Sequence, residues 1–505
     1  MTIQKIADFA LYLLEFFTLV VGVAIIVLLV WILCMYVIDT RQTKHSIRRN
    51  YPVVGRLRYQ FEHMGEFFRQ YFFAMDREEL PFNRAQRSWV YRAAKNVDAT
   101  LAFGSTQPLD RPGTVIFLNA AFPPLDDNQI ESTEVVLGPF ARQPYKTSSI
   151  YNISAMSYGS LSRPAIEALS MGAAKAGIWL NTGEGGLSPY HLKGGCDLVF
   201  QIGTAKYGVR NDKGELCDTH LQEVAAHPEV KMFEIKLSQG AKPGKGGILP
   251  AEKVSKEIAD IRGIPAGEAS LSPNIHEDIR NVGELLDSIN RIRDVTGKPV
   301  GFKIVIGETK WLRDLCELIH QRGIASAPDF ISVDSSDGGT GAAPQSLMDI
   351  MGMPLSRSLP FVTDTLMEYS LKDRIKVIAS GKMVNPAGVA WAIAMGADFV
   401  ASARGYMFAL GCIQALQCNK NTCPTGVATH DPKLQKGLAP LEKSERVAYL
   451  AKNMHKELDT IAHSCGVTEA RAIQREHAEL INDQGAPAPL IETYPKPLPD
   501  PRFFN

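Results

Sequence analysis

The chain has few cysteines and no excess of charge of either sign, and each absence excludes a class of protein. Its 505 residues include 8 cysteines, too few for the disulfide framework of a small secreted protein. The 54 Lys and Arg residues balance the 54 Asp and Glu residues, so we expect no nucleic-acid partner. With 45% hydrophobic residues, 41 Gly and 30 Pro, the composition also excludes a disordered or collagen-like chain.

Two nucleotide-binding fingerprints are missing as well. No G-x-G-x-x-G sequence follows a predicted strand, because Gly183-x-Gly185 lacks the third glycine at the required spacing, as does Gly244-x-Gly246. The P-loop sequence does not occur. A separate nicotinamide-binding domain is therefore not evident.

One long hydrophobic run is present, and it lies near the N-terminus. No residue from Phe16 to Ile38 is charged, and about 20 apolar residues cross the hydrocarbon core of a bilayer. The run is too long for the apolar part of a signal peptide, and the alternative is a buried core helix. Basic residues follow the run, so the positive-inside rule predicts a single-pass protein of the inner membrane with its remainder in the cytoplasm. These residues, which we also expect to contact anionic lipid, are Arg41, Lys44, Arg48, Arg49, Arg56 and Arg58.

Short β-branched runs alternate with amphipathic helical segments in the middle of the chain, and this alternation indicates a parallel sheet. Eight such runs fit a (β/α)8 TIM barrel, which takes about 250 residues; an open doubly wound sheet is the alternative. The predicted strands are Ser149–Met156, Ile178–Asn181, Leu198–Ile202, Met232–Lys236, Val300–Ile304, Phe330–Asp334, Ile375–Ser380 and Phe399–Ala403. The predicted helices are Arg163–Ala176, Val282–Arg293, Lys310–Arg322 and Pro386–Met395.

The rest of the chain divides around this barrel. We interpret residues 1–38 as the anchor, 39–148 as an Arg- and aromatic-rich cover segment, 149–435 as the barrel and 436–505 as a C-terminal extension. In the extension, Leu441 to about Leu480 has helical periodicity, and Ala486–Pro501 is a Pro-rich arm.

Residues suited to ligand binding lie at the predicted carboxyl ends of the strands. Ser380–Lys382 and Ala403–Arg404 follow strands 7 and 8, where this fold binds phosphate. The glycines of Asp337–Gly341 let the backbone approach a ligand closely. Lys236 and Lys303 at two strand ends suit a heterocycle that becomes anionic on reduction, with an ion pair inside the barrel as the alternative. Together these features predict FMN.

Three of the eight cysteines are clustered. Cys412, Cys418 and Cys423 lie close in sequence, and Pro424 follows the last of them. This arrangement favours an iron–sulfur site, since thiolates are its ligands and a [3Fe–4S] cluster takes three. Zinc, for which His430 stands at a non-standard spacing, and plain buried thiols are the alternatives.

Four motifs in this order resemble the synthase domain of glutamate synthase over roughly residues 145–435. The chain is most similar to stand-alone proteins of the FMN-binding glutamate synthase family. The motifs are Asn181-Thr-Gly-Glu-Gly-Gly186, Gln239-Gly-Ala-Lys-Pro-Gly244, Asp337-Gly-Gly-Thr-Gly-Ala342 and Cys412…Cys418-x-x-Asn421-Thr-Cys-Pro-x-Gly-Val-Ala-Thr429.

The resemblance implies a barrel enzyme with FMN and a [3Fe–4S] cluster on Cys412, Cys418 and Cys423. The reaction implied is the reduction of 2-iminoglutarate, formed from 2-oxoglutarate and ammonia, to L-glutamate. A ferredoxin or a membrane-linked reductase would donate the electrons, and the chain would act alone or as a homo-oligomer.

The resemblance also assigns residues. Ala155, Met156, Ser157, Gln201, Lys236 and Lys303 would surround the flavin ring, and Gly338, Gly339, Ser380, Gly381, Lys382, Ala403 and Arg404 would hold its phosphate end. Glu184, Gln239, Lys242 and Arg262 would form the catalytic, substrate-facing group. Lys242 and Arg262 would bind the two carboxylates of the substrate, and Glu184 would transfer a proton.

The chain departs from the family pattern at the substrate end. Glutamate synthases read Lys-Pro-Gly-Glu-Gly-Gly-Gln-Leu-Pro where this chain has Lys245 for the acid and Ile248 for the amide. We therefore expect a less polar pocket, and ammonia that is free or supplied by a partner, since no glutaminase domain precedes the barrel. The alternatives are another FMN-barrel reaction, such as isomerisation or methylamine transfer onto glutamate, and a non-catalytic scaffold.

Overall fold

A computed structural model describes residues 2–98, 100–124 and 132–503. Contacts divide the chain into an N-terminal unit, Met1–Ala85, and a larger unit, Gln86–Asn505. The N-terminal unit contains the helices Thr2–Arg41, Ser46–Asn50 and Gly55–Phe68 and a π-helical turn at Arg69–Phe73. The first of these helices includes the predicted apolar run and is long and apolar enough to cross a membrane, by length and composition.

The larger unit contains a closed barrel of eight parallel strands, so the predicted TIM barrel is confirmed and the open sheet is wrong. Each predicted strand overlaps one barrel strand. In chain order, barrel strands 1 to 8 are Tyr151–Ile153, Leu180–Asn181, Leu198–Ile202, Val230–Lys236, Val300–Val305, Phe330–Asp334, Lys376–Ser380 and Phe399–Ser402. Strand 8 pairs with strand 1 through Val400 and Tyr151, which closes the barrel.

Helices connect the barrel strands and begin where capping residues place them. Ser162 caps the helix Arg163–Ala176 by accepting a hydrogen bond from the N–H of Ala165, and the helix ends at Gly177 with φ 66°. The longer helices of the larger unit are Arg84–Ala94, Arg163–Ala176, Asp218–Ala226, Lys256–Arg262, Val282–Thr296, Lys310–Arg322, Leu355–Glu368, Pro386–Ala394, Arg404–Leu410 and Pro440–Ser464.

A hairpin from the cover segment closes the amino-terminal end of the barrel. Its strands, Val135–Leu137 and Tyr145–Thr147, are antiparallel. Leu137 and Tyr145 are buried in one cluster with Trp179, Phe330 and Phe399, which lie at or next to the first residues of barrel strands. Because this end is filled with apolar side chains, the carboxyl ends of the strands are left for a functional site.

The C-terminal extension is only partly helical. The helix Pro440–Ser464 ends well before Leu480, because Gly466 adopts φ 86° just after it. Ala478–Ile481 then forms a strand between Val115–Phe117 and Pro487–Pro489. The first residues of the Pro-rich arm are thus part of a three-stranded sheet.

Candidate active site

Three loops at the carboxyl ends of strands 6, 7 and 8 meet. A Cβ at Gly381, where φ is 123°, would lie 2.3 Å from Oγ of Ser335 in the loop after strand 6. The guanidinium of Arg404 donates to the carbonyl of Thr340 at 2.8 Å. Lys382 lies 3.7 Å from the carboxylate of Asp337. The structure therefore brings together the residues predicted for the phosphate end.

Glycine allows a fourth loop to join them. A Cβ at Gly240, after strand 4, would lie 2.1 Å from the carbonyl oxygen of Ser335 and 2.6 Å from Cα of Gly338. The N–H of Gly240 donates to the carboxylate of Asp334 at 3.0 Å. Only glycine fits between these backbones, so the loops after strands 4 and 6 hold each other in place.

A buried carboxylate organises the centre of the barrel. Glu234 accepts hydrogen bonds from the side-chain amides of Asn181, at 2.8 Å, and Gln201, at 2.6 Å, and from the hydroxyl of Ser332. Because both amide groups donate to Glu234, the side-chain oxygen of Gln201 is left as the acceptor it can offer to a ligand. Glu234 is not predicted from the sequence, since an acid on a buried strand has no distinguishing local pattern.

Both predicted flavin lysines form ion pairs in this structure. The ammonium of Lys236 lies 2.9 Å from a carboxylate oxygen of Glu184, and that of Lys303 lies 3.3 Å from Asp334. Burial opposes the charge of Lys303, but the neighbouring carboxylates, Asp334 first, raise its pKa. Lys303 thus stays cationic beside the barrel mouth.

One cleft at this end contains three of the four predicted catalytic residues. Glu184, Lys242 and Arg262 line it together, and Ile248 and Cys418 form part of its wall. The remaining lining residues are Ser157, Ser160, Gly247, Leu249, Pro250, Lys253, Ser272, Thr340, Gly341, Ala342 and Asn419. The fourth predicted residue, Gln239, lies in the turn after strand 4, where its carbonyl accepts from the N–H of Lys242 at 3.2 Å.

Arg262 is held rigidly but keeps donors unused. Its guanidinium donates to Ser270 at 3.2 Å and to the carbonyl of Tyr158 at 3.4 Å, and it stacks on the ring of Tyr207 at 5.2 Å. The side chain is 5% exposed, and its buried Nε has no hydrogen-bond partner. The two hydrogen bonds use two of the five guanidinium N–H groups, so this cleft residue keeps donors for an anionic ligand. Tyr207 and Ser270 were not predicted.

The electrostatics of the cleft favour anions and proton transfer. The pKa of Lys242 falls to about 8, chiefly because the group is buried; Glu184 opposes the fall, and Lys236 and Lys245 contribute to it. Burial tends to raise the pKa of Glu184, but Lys236, Lys242 and Arg262 together hold it below its ordinary value. At neutral pH the cleft therefore contains a carboxylate and an ammonium close to its titration point.

The three clustered cysteines lie in one segment with unusual backbone. The pKa of the Cys412 thiol rises to about 11, chiefly because the thiol is buried, although the backbone N–H of Gln414 and the charge of Arg404 oppose the rise. Three other residues of the segment have positive φ: Gln414 (59°), Leu416 (54°) and Asn421 (58°). Among the residues that the structure describes, no group of three or more His, Cys, Asp or Glu side chains could hold a metal ion.

Lys253, which is not predicted from the sequence, links the cysteine segment to the cleft. Its ammonium donates to the carbonyls of Cys418 and Ala428, both at 2.9 Å, and to that of Ser160 at 3.2 Å. Lys253 is 2% exposed, and burial lowers its pKa while Cys418 and Cys423 oppose the change. A lysine in a polar loop carries no signal of burial, so only the fold reveals this contact.

The remaining predicted residues lie at the mouth of the barrel. Met156 and Ser157 are buried after strand 1, and Ala155 is half-buried. Backbone atoms of Ser157 lie against Gly183, where a Cβ would be 2.7 Å from its nitrogen. Gly339 lies against Arg404, while Ser380 is buried and Ala403 is half-buried at the ends of strands 7 and 8.

Comparison with known proteins shows which family the chain belongs to. The conserved region in glutamate synthase matches residues 124–468. The chain is 40% identical over 500 residues to the glutamate synthase large subunit-like protein YerD of Bacillus subtilis (strain 168), a match covering 91% of this chain and 94% of that protein.

More distant relatives extend beyond the matched part. The chain is 35% identical over 335 residues to the archaeal-type glutamate synthase (NADPH) of Thermotoga sp. (strain RQ2), covering 66% of this chain and 62% of that protein. Among solved structures, mandelate oxidase with (S)-2-phenylpropionate aligns over 78% of this chain and 98% of that chain, with 16% identity and a TM-score of 0.44. On the family match and the relatives, the chain belongs to the glutamate synthase family of oxidoreductases.

Proposed function

We propose that the chain is a membrane-anchored FMN and iron–sulfur oxidoreductase that reduces an imine, formed from a 2-oxo acid and ammonia, to an amino acid. The observation that carries the proposal is the cleft in which Glu184, Lys242 and Arg262 meet beside Cys418. It combines groups that bind carboxylates, a proton-transferring pair and a cysteine of the proposed cluster. Family membership supports 2-oxoglutarate as the substrate and L-glutamate as the product.

The loops at the carboxyl ends of the strands fit FMN. Gly338, Gly339 and Gly381 have no side chains that would fill the space between these loops, and Lys382 and Arg404 supply positive charge for a phosphate. At the other end, Gln201 presents an amide oxygen, which suits a ring N–H. When bound, FMN supplies hydride transfer from its ring.

The proposed [3Fe–4S] cluster rests on the chemistry of the cysteine donors and on the family resemblance, since the three thiols are not gathered into a metal-binding group in this structure. Cys412, Cys418 and Cys423 offer three thiols that would ligate the cluster as thiolates, and Cys418 lines the cleft, so the proposed electron path to the flavin side is short. The backbone N–H of Gln414 lies 3.5 Å from Sγ of Cys412 and is able to donate to a cluster sulfur ligand. Zinc is less suitable, because a structural zinc site takes four ligands.

The residues of this chain would position the substrate and move protons. Arg262 and Lys242 both line the cleft, where Arg262 would bind one carboxylate and Lys242 would bind a second. Glu184 is a carboxylate at neutral pH and would exchange protons with the nitrogen during imine formation, with Lys236 stabilising its charge. Burial of these groups strengthens each interaction with an anionic substrate.

Ile248 favours a second candidate substrate. This side chain is 40% exposed and lines the cleft at a position where the family pattern has an amide. An apolar wall would accept the side chain of a branched 2-oxo acid and would offer no hydrogen bond to a second carboxylate. A monocarboxylic 2-oxo acid is therefore the alternative to 2-oxoglutarate.

The helix Thr2–Arg41 supports a membrane anchor, with the basic residues after it on the cytoplasmic side. A membrane-linked reductase or a ferredoxin would then donate the electrons. The cleft and the cysteine segment would lie in the cytoplasm, where thiols stay reduced.

The test uses the full chain purified in detergent. We expect bound flavin, iron and sulfide, and glutamate labelled with 15N when reductant, 2-oxoglutarate and labelled ammonia are added without oxygen. Glu184→Gln should lose product formation but keep flavin, whereas the matched surface variant Glu445→Gln should keep both. A colourless protein, or a loaded protein that aminates neither 2-oxoglutarate nor a branched 2-oxo acid, would overturn the proposal. Product from the branched acid alone would select the second substrate.

A further inference from the structure

A stripe of exposed apolar side chains follows the long N-terminal helix. In and just before the helix Gly55–Phe68, the exposed fractions are 66% for Val54, 48% for Leu57, 64% for Phe61, 40% for Met64 and 44% for Phe68. These positions are spaced alternately by three and four residues, so they share one face of the helix. We name these five residues the apolar stripe.

A buried carboxylate ties this helix to the end of the long one. Asp39 has no exposed surface, and its oxygens lie 2.7 Å from the guanidinium of Arg48 and 2.8 Å from that of Arg56. It also accepts a hydrogen bond from the N–H of Val53 at 3.0 Å. The helix Gly55–Phe68 is therefore held next to the point where the proposed membrane span ends.

The residues around the apolar stripe are of the types that proteins place at a membrane surface. Arg41, Lys44, Arg49 and Arg58 are exposed in the same region, where they suit anionic headgroups. Aromatic residues of the kind enriched at membrane–water interfaces follow the helix: Tyr71, Phe72 and Phe73 are 48%, 74% and 74% exposed.

We infer that the apolar stripe lies in the headgroup region of the bilayer that the helix Thr2–Arg41 crosses, so that the chain contacts an anionic phospholipid membrane at two places. This inference rests on the proposed membrane anchor. The contact is continuous with the span, since the network of Asp39 fixes the distance between them. A second copy of the chain fits less well, because the 14-residue helix covers two heptads and a coiled coil takes about three or four.

The experiment places a fluorescent amino acid at one position of the full chain, reconstituted in vesicles of phosphatidylglycerol and phosphatidylethanolamine. Position 61 lies in the apolar stripe, and position 62, an exposed glutamate on another face of the same helix, is the matched control. We expect brominated lipids to quench the probe at 61 at least threefold more than the probe at 62. Aqueous iodide should give the reverse order.

A third probe at Leu28, in the middle of the long helix, separates the inference from the anchor on which it rests. Quenching by brominated lipid at 28 but not at 61 would overturn the inference and leave the anchor intact. No quenching at 28 would overturn both. Protection of position 61 from lipid and iodide alike, with cross-linking between chains, would assign the apolar stripe to a second copy. Vesicles of neutral phosphatidylcholine should at least halve the quenching at 61, and unchanged quenching would contradict the role of anionic lipid.

Discussion

Lys242 is the cleft residue whose charge changes nearest to physiological pH, because burial lowers its pKa to about 8. If its ammonium binds a substrate carboxylate, KM for the 2-oxo acid should be constant below pH 7 and should rise about tenfold per pH unit above pH 8, where the charge is lost. Lys242→Arg should remove the rise up to about pH 10, since a guanidinium stays charged there. Steady-state kinetics between pH 6 and 10 measures this.

The matched variant Lys242→Met tests whether the charge of Lys242 causes the pH dependence of KM. Without a charge it should raise KM about tenfold or more at pH 7 and show no further rise to pH 10. The same pH dependence in wild type and Lys242→Met would assign the titration to another group, and Lys242 would then have no role in binding.

Lys253 is expected to matter for stability as well as for the cysteine segment. Lys253→Met leaves the carbonyls of Cys418, Ala428 and Ser160 without their donor, and a buried unsatisfied acceptor costs about 1–3 kcal/mol. We expect the free energy of unfolding to fall by about 2 kcal/mol or more and the iron content to decrease. Denaturant unfolding and iron analysis measure the two effects.

The exposed residue Lys256 provides the control for this variant. Lys256→Met removes the same charge three residues away and should change the free energy of unfolding by less than about 0.5 kcal/mol. Equal effects of the two substitutions would mean that net charge, and not the three carbonyl contacts, sets the stability.

At the scale of elements, the cysteine segment contains a residue with a strained backbone. Leu416 has φ 54° and is 67% exposed, so its side chain contributes little packing. A left-handed conformation costs a non-glycine residue about 1–2 kcal/mol, partly offset by the greater freedom of glycine in the unfolded chain. Leu416→Gly should therefore stabilise the protein by about 0.5–1 kcal/mol. Thermal unfolding of the full chain tests this.

Alanine at the same position separates strain from side-chain loss. Leu416→Ala removes the exposed side chain but keeps Cβ, and so keeps the strain. We expect Leu416→Ala to unfold within about a degree of the wild type, and therefore at a lower temperature than Leu416→Gly. If Gly and Ala variants unfold together, the conformation carries no strain that a glycine relieves.

The elements themselves could be predicted well from sequence, and the reasons are local. Ser162 and Gly177 mark the two ends of the helix Arg163–Ala176, and most residues of the barrel strands are apolar and buried. The C-terminal helix was predicted too long because periodicity continues past Gly466, which ends the helix. The sheet formed by Ala478–Ile481 was missed, since its partner Val115–Phe117 lies far away in sequence.

The residues of the candidate site also include some that could be predicted from sequence and some that could not. Glu184, Lys242 and Arg262 were found because family motifs mark them, and the fold brings them to one cleft. Glu234 and Lys253 were not found, because their roles depend on contacts between loops from different strands. The ion pairs of the two flavin lysines also needed coordinates, since their acids stand on other strands.

At the scale of the whole molecule, the division into two units predicts that the larger unit folds as a separate fragment. Residues 86–505 contain the closed barrel, its hairpin and the C-terminal helix. This fragment lacks the apolar helix Thr2–Arg41, so we expect it to be soluble without detergent, to unfold cooperatively and to bind FMN as the full chain does. Size-exclusion chromatography, thermal unfolding and flavin titration test this expectation.

A second fragment begins at Ser149, the first residue of the predicted barrel, and tests whether the barrel folds without the segment that precedes it. It keeps every barrel strand but removes Leu137 and Tyr145, which are 0% and 6% exposed at the amino-terminal end. Losing two buried side chains of this size costs about 3–6 kcal/mol, comparable with the total stability of many domains. This fragment should therefore aggregate or unfold at room temperature, whereas residues 86–505 should not. If both fragments fold equally well, the hairpin is dispensable, and the barrel is closed by its strands alone.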